Sequence, residues 1–153
     1  MTPHDAQPFI ESIRTDAQCA ERFAQIRRDG ARLTCTAKDA AAPAQYTLEA
    51  LATGWRIALS TGDRWLSESI ESQLVESRDS LEDLFEEELK DLDCTGAAPK
   101  VRHFRDEEKQ YVFECTLAAA DETASSLALV RTYFLAFEST FRQLGDMSGA
   151  DSH

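Results

Sequence analysis

The 153-residue sequence lacks the short motifs that mark common catalytic and nucleotide-binding sites. Its six glycines form no GxGxxG or GxxxxGK[ST] loop, and GxSxG and HExxH segments are absent. These absences disfavour mononucleotide-binding and hydrolase folds, so the sequence predicts no catalytic residue, no cofactor and no metal site. Asparagine is missing altogether and Arg outnumbers Lys by 12 to 4, which is typical of a GC-rich bacterial coding sequence.

Cysteine and histidine are too sparse and too scattered for a zinc site. The four cysteines are far apart and form no CxxC pair, and only one of the three histidines lies away from the chain ends. We predict small buried thiols, because free cysteine is among the most buried residue types. Disulfides are the alternative, although nothing in the sequence indicates secretion. The cysteines are Cys19, Cys35, Cys94 and Cys115.

The internal histidine, His103, lies at the end of a predicted strand beside a run of charged residues. We expect its imidazole to contact Asp106 or Glu107 in the turn that follows. A thiolate pair with Cys35 or Cys115, as in cysteine enzymes, is the alternative.

Long apolar runs are also absent, and the charge is strongly one-sided. No stretch approaches the roughly 18 apolar residues of a membrane span, and Met1–Pro8 has no basic segment followed by an apolar one, so we expect a cytoplasmic protein. The 16 Lys and Arg residues face 28 Asp and Glu residues, which gives a net charge of −12. This charge disfavours nucleic acid and membrane surfaces and favours a basic or unfolded protein segment as partner.

Apolar spacing predicts a helix and a meander in the first half of the chain. Steps of three and four from Pro8 to about Arg28 predict an amphipathic helix that stops at Gly30. The alternation of Ala31–Lys38 predicts a half-buried strand. Two further strands, Gln45–Ala52 and Trp55–Ser60, complete an antiparallel meander.

The second half combines helices with a hairpin. An apolar residue every fourth position from Leu66 to Val75 favours a helix, although a further strand is the alternative. Ser80 and Asp83 form a pair resembling a capping box at the start of a clearer helix. The remaining predicted elements are a helix at Ser80–Leu92, a hairpin of Val101–Phe104 and Tyr111–Leu117, a helix from near Asp121 to Gly145, and a flexible tail at 146–153.

These elements predict a single α+β domain over residues 1–153, with an ordered core at about 8–145. Its antiparallel sheet of about five strands is flanked by helices in the order α-β-β-β-α(α)-β-β-α. Phe134, Phe137 and Phe141 form a stripe that would cover the apolar face of the sheet. Because the apolar arc of this helix is wider than one face requires, we expect either a homodimer seam or peptide groove, or a helix sandwiched inside its own domain.

Seven carboxylates between Glu82 and Asp93 are relieved only by Lys90. A solvated helix face is the ordinary interpretation, and Ca²⁺ binding is disfavoured because carboxylates on a helix point around it. The alternative is a surface that attracts a basic partner segment. The candidate partner-binding residues are Trp55, Trp65, Leu129, Tyr133, Glu86, Glu87 and Asp91.

The order of elements, the size and the acidity resemble the small type III secretion chaperones and the related YbjN-like bacterial proteins. The stretches that carry the resemblance are the strand Trp55–Leu59, the acidic helix Ser80–Leu92, and Tyr111–Glu114 leading to the aromatic last helix. The resemblance implies a helix-flanked antiparallel sheet in a non-enzymatic homodimer, which binds an extended segment of another protein or regulates a partner.

The sequence leaves two main hypotheses and one variant. The first is a bacterial protein-binding module without catalysis. The second is an enzyme or small-molecule-binding domain whose site is built from scattered groups, such as Asp63 and Arg64 in one turn or Arg102, His103 and Arg105 near the hairpin. The variant is an interaction subunit held permanently in a larger assembly.

Overall fold

The computed structural model describes residues 5–118 and 127–148, in which five helices and six strands form. In chain order the elements are α1 (Gln7–Arg14), α2 (Ala17–Arg22), β1 (Phe23–Asp29), β2 (Arg32–Ala37), β3 (Ala44–Leu51), β4 (Gly54–Thr61), α3 (Arg64–Ser77), α4 (Leu81–Asp91), β5 (Arg102–Arg105), β6 (Tyr111–Ala118) and α5 (Leu127–Arg142).

The six strands form one antiparallel sheet in the order β1-β2-β3-β4-β6-β5. Strands β1 to β4 make a meander in which each strand pairs with the next. Strand β6 then pairs with β4, and β5 pairs with β6 at the edge of the sheet. The α+β class, the meander and the hairpin predicted from the sequence are confirmed.

The prediction of one helix from Pro8 to Arg28 is wrong. Helix α1 ends at Arg14, and the carboxylate of Asp16 caps a separate helix by accepting hydrogen bonds from the N–H groups of Gln18 and Cys19 at 2.8 and 3.3 Å. Residues 23–29 are strand β1, so the sheet gains a sixth strand. Gly30, at φ +61°, lies in the hairpin turn between Asp29 and Arg32 instead of ending a helix.

The two middle helices are found where the sequence predicts them. Helix α3 covers residues 66–75, which confirms the helix interpretation there and excludes the strand alternative. The hydroxyl of Ser80 accepts a hydrogen bond of 3.0 Å from the N–H of Asp83, so Ser80 caps α4 as predicted. The predicted start of the last helix near Asp121 lies outside the described residues.

All five helices contribute to one hydrophobic core on a single face of the sheet. Phe134, Phe137 and Phe141 of α5 are 0 to 1% exposed, which confirms that this stripe is core. The wide apolar arc of α5 is explained by packing on two sides. It faces the sheet through Phe137 and Tyr46, whose ring centroids are 6.2 Å apart, and it faces α4 through Tyr133 and Phe85 at 6.0 Å. The helix is therefore sandwiched inside the chain.

The opposite face of the sheet lies outside the core cluster and is mostly polar. Strand pairing sets Thr34, Thr47, Ala58 and Glu114 side by side across β2, β3, β4 and β6. The guanidinium of Arg56 crosses this face and donates to Glu114 at 2.6 Å. An antiparallel sheet with helices on one side only is expected to alternate in this way.

The start of the predicted flexible tail, residues 146–148, packs against the rest of the chain. Gly145 adopts φ +53° and turns the chain back onto α3. There the N–H of Asp146 donates to the hydroxyl of Ser69 at 3.0 Å, and Met147 is 2% exposed. The tail was expected to be flexible because it is small and polar, but Met147 gives it an apolar side chain to bury.

Candidate functional site

Two large apolar side chains are exposed on the described surface, and both belong to α3. Trp65 is 74% exposed and Val75 is 78% exposed. Together with Glu68 and Ser72 they follow the spacing i, i+3, i+7, i+10, which places all four on one stripe of a helix. We call these four residues the α3 stripe.

The buried side of α3 fixes the direction of the α3 stripe. Leu66 and Ile70 are 2% and 0% exposed and anchor the helix in the core. At the N-terminus the carboxylate of Asp63 accepts a hydrogen bond of 2.8 Å from the N–H of Leu66. At the C-terminus Arg78, in a left-handed conformation, donates its N–H to the carbonyl of Leu74. The exposed stripe therefore projects from a helix that is held at both ends and along its inner face.

Apart from Glu88, which accepts from the amide of Gln143 at 2.8 Å, the carboxylates of the acidic helix α4 have two roles. Glu82 and Glu86 accept hydrogen bonds from the backbone N–H groups of Val101 and Ala98 at 2.8 and 3.1 Å, so they hold the segment that leads to β5. The other role belongs to three exposed carboxylates at the spacing i, i+4, i+8, about 6 Å apart along the helix. We call Asp83, Glu87 and Asp91 the α4 acidic stripe.

The predicted partner-binding residues are found in different environments. Trp65, Glu87 and Asp91 are exposed. Leu129 is half-buried and packs against the core, and Glu86 serves the backbone of its own chain. Trp55 and Tyr133 are 4% and 2% exposed. These two belong to the core and present no surface to a partner, which corrects the prediction for both.

The burial of the two corrected residues has a physical reason in each case. Trp55 lies on the core face of β4, where its ring meets Phe9 edge-on at a centroid distance of 5.4 Å. Tyr133 lies between α5 and α4, and its hydroxyl donates to the carbonyl of Ala97 at 3.1 Å. Sequence periodicity missed Val75 as a surface residue, because a single apolar residue at a helix end is usually assigned to the buried side.

The imidazole of His103 contacts α3, which corrects the expectation that it contacts Asp106 or Glu107. Its Nδ1 lies 2.8 Å from Glu71 Oε1, and its Nε2 lies 3.3 Å from Ser67 Oγ. The ring stacks on Phe113 at a centroid distance of 3.8 Å. Burial lowers the pKa of His103, and Glu71 opposes this with a smaller effect in the other direction. The neutral ring can donate from Nδ1 to Glu71 and accept from Ser67.

These contacts follow the order nucleophile, base and acid seen in serine hydrolases. They line a shallow cleft of about 260 Å³ that also gathers Arg64 and Arg105, two groups of the enzyme hypothesis. Ser67 is only 2% exposed, so little of its side chain reaches the surface of the cleft. In this structure the three groups connect α3 to the edge strand β5.

The four cysteines are free and buried, which confirms the thiol prediction over disulfides. Burial raises the pKa of Cys19 to about 11 and of Cys115 to about 12, and it raises that of Cys35 further. These thiols are therefore poor nucleophiles at neutral pH. His103 has Ser67, Glu71 and Phe113 as its neighbours, and neither Cys35 nor Cys115 pairs with it.

Across residues 5–118 and 127–148 no cluster of three or more His, Cys, Asp and Glu is arranged to hold a metal ion. Among the helices described, none has the length and apolar character to cross a membrane.

Comparison with known proteins adds no relative to this picture. No protein-family model, no curated protein and no solved structure matches the chain significantly.

Proposed function

We propose that the chain is a non-catalytic protein-binding module, and that the α3 stripe contacts a basic, amphipathic segment of its partner. The observation that supports this proposal is the exposure of Trp65 and Val75 on one stripe of a well-anchored helix. Exposure of these two apolar side chains to water is unfavourable in free energy, and burial against a partner would remove that penalty.

Burial of such side chains in an interface contributes about 2 kcal/mol each. Tryptophan is also among the residues most enriched at energetically dominant interface positions. A segment with apolar residues on one side would cover Trp65 and Val75, while one of its basic residues would replace exposed Arg64 as the partner of Glu68, now at 2.8 Å. We therefore expect the partner to be amphipathic.

The charge of the chain favours a basic partner over an acidic one. The net charge is −12, and the α4 acidic stripe adds three exposed carboxylates on the helix that follows α3. Long-range attraction of this kind increases the rate of encounter more than it sets final affinity.

A site-specific photocrosslinker can identify the partner and test the surface at once. A benzophenone amino acid replaces Val75 in the protein expressed in its own host, and a matched control carries the same group at exposed Glu107 of the hairpin turn. We expect one protein to crosslink from position 75 and not from position 107. The crosslinked residues on that protein should lie in a segment rich in Lys or Arg.

Trp65→Ala then measures the contribution of the α3 stripe. With the purified partner segment we expect the affinity to fall roughly 30-fold, corresponding to loss of about 2 kcal/mol. Lys100→Ala, a change of an exposed residue outside both stripes, should leave the affinity unchanged. Equal crosslinking from both positions, or full affinity in Trp65→Ala, would contradict the proposal.

The resemblance to type III secretion chaperones and YbjN-like proteins supports the same class of function, and it adds that the module is a cytoplasmic bacterial homodimer. Native mass spectrometry of the protein purified from its host tests this part. A dimer with a bound second polypeptide is the expected result, and a monomer that carries nothing would argue against it.

A further inference from the structure

A larger cleft lies away from the α3 stripe, where α2, α5 and the β2–β3 loop meet. Its volume is about 680 Å³, which is in the range of small-molecule sites. Four of the chain's 16 Lys and Arg residues line it. They come from distant parts of the sequence and are Arg22, Lys38, Arg131 and Arg142.

A buried carboxylate fixes two of these guanidinium groups. Glu138 is 3% exposed, and it accepts hydrogen bonds from Arg22 Nη1 at 2.9 Å and from Arg142 at 2.7 and 2.9 Å. The hydroxyl of Ser139 accepts a further bond of 2.7 Å from Arg22. Two guanidinium groups share one carboxylate, so this cluster keeps an excess positive charge at the wall of the cleft.

The other two cations contact polar groups of α2 and of its cap residue Asp16. Arg131 is held by Asp16 at 2.8 Å and by Gln18 at 2.9 Å through its Nη2 atom. Lys38 is exposed, and its ammonium reaches the carbonyl of Glu21 at 3.4 Å. One cation is enough to neutralise buried Glu138, so the second guanidinium that binds it is in excess of what this carboxylate requires.

We propose that this cleft binds a small organic oxyanion, with its carboxylate or phosphate group held by Arg22, Arg142 and Lys38. Arginine presents planar pairs of donors to such groups, and the contacts to Glu138 hold those donors in place before the ligand arrives. Leu92 and Leu135 also line the cleft and give it apolar wall for the body of the ligand. The rim carboxylates Glu21 and Asp39 favour a ligand whose charge is concentrated at one end.

Titrations with inorganic phosphate and with citrate test the proposal on the full chain. Nuclear magnetic resonance spectra follow the arginine Nε–H signals. We expect saturable shifts of the Arg22 and Arg142 signals in the millimolar range or below with at least one of the two anions. Saturation by phosphate alone would assign a phosphate ligand, and saturation by citrate alone would assign a carboxylate ligand.

Matched variants separate binding from general charge effects. Lys38→Ala should weaken the binding about tenfold, as expected for loss of one charge-assisted contact. Lys100→Ala, which removes an exposed lysine outside the cleft, should not change it. Arg142→Gln is a second variant in which the binding should weaken, because it lacks one cation of the cleft while Arg22 still neutralises Glu138.

Shifts that do not saturate, or equal weakening in Lys38→Ala and Lys100→Ala, would overturn the proposal, as would the absence of shifts with both anions. Trp65→Ala should leave this binding intact, so the outcome is independent of the proposed partner surface.

Discussion

His103 joins helix α3 to the edge strand β5, and its half-buried imidazole makes this connection sensitive to acid. Burial lowers its pKa below the ordinary value near 6.5. The unfolded chain therefore takes up this proton more readily than the folded chain. The stability that depends on neutral His103 is fully present above about pH 6.5 and is lost as the pH falls through the interval down to the folded-state pKa.

We predict that His103→Gln loses less stability than the parent protein between pH 7.5 and pH 5.5, as measured by urea unfolding at both values. Glu71→Gln is a matched variant, because the amide can still accept from Nδ1 but no longer raises the pKa of His103. It should lose more stability over the same interval. Parallel pH dependence in all three proteins would show that His103 does not titrate as described.

Single residues show where sequence patterns reach their limit. Trp55 and Trp65 are both large and aromatic, and only their spacing separates them, since Trp55 shares a strand face with Ile57 while Trp65 lies outside the apolar stripe that starts at Leu66. Their burial is decided by which face each element turns to the core. The cleft proposed to bind an oxyanion could not be predicted either. Its cations, Arg22, Lys38, Arg131 and Arg142, are far apart in the sequence, and only the fold brings them together.

At the scale of elements, two connections contain a glycine with positive φ, and the surroundings of these two glycines differ. Gly30 has φ +61° in the β1–β2 turn, and a Cβ added there would meet nothing within 4 Å. Gly145 has φ +53° after α5, and a Cβ there would collide with Ser69 and with the backbone nitrogen of Ile70. A residue with a Cβ would be strained by the left-handed backbone at both positions, but only at Gly145 would it also clash with its neighbours.

We predict that Gly30→Ala destabilises the protein by about 1 kcal/mol, from the backbone term alone. Gly145→Ala should cost about 3 kcal/mol or more, because α3 and the returning chain must separate. Thermal and urea unfolding of the two variants measure the difference. If Gly145→Ala were no worse than Gly30→Ala, the chain after α5 would not be packed on α3 as the structure has it.

Strand β1 shows why one element was assigned wrongly. Phe23, Ala24 and Ile26 fit a continued helical spacing, so local periodicity favoured a helix. Pairing with β2 outweighs that preference, as tertiary contacts commonly do. The Asp29–Gly30 pair was a hairpin signal in the sequence, and it would have placed a strand before the turn.

At the scale of the whole molecule, the main features are the antiparallel sheet and the net charge of −12. The α+β class and the acidity were predictable, because both follow from patterns repeated over many residues. The sequence did not predict which carboxylates are exposed. Glu82 and Glu86 bind the backbone of their own chain, while Glu87 and Asp91 are exposed. Only the exposed ones can pair directly with the cations of a partner, so net charge alone does not locate the surface.

This division predicts how partner binding responds to salt. Glu87→Gln/Asp91→Asn and the control pair Glu107→Gln/Glu108→Gln each remove two exposed negative charges, so their net charges match. With the partner segment, the association rate of the parent protein should fall steeply as salt rises, since exposed charges are screened over about 8 Å at physiological ionic strength.

Stopped-flow measurements at several salt concentrations compare the three proteins. The α4 variant should associate several-fold more slowly at low salt and show a flatter salt dependence, while its dissociation rate changes little. The control pair should differ from the parent only slightly, because the hairpin turn lies outside both stripes. Equal slowing in both variants would mean that total charge, and not the α4 acidic stripe, directs the encounter.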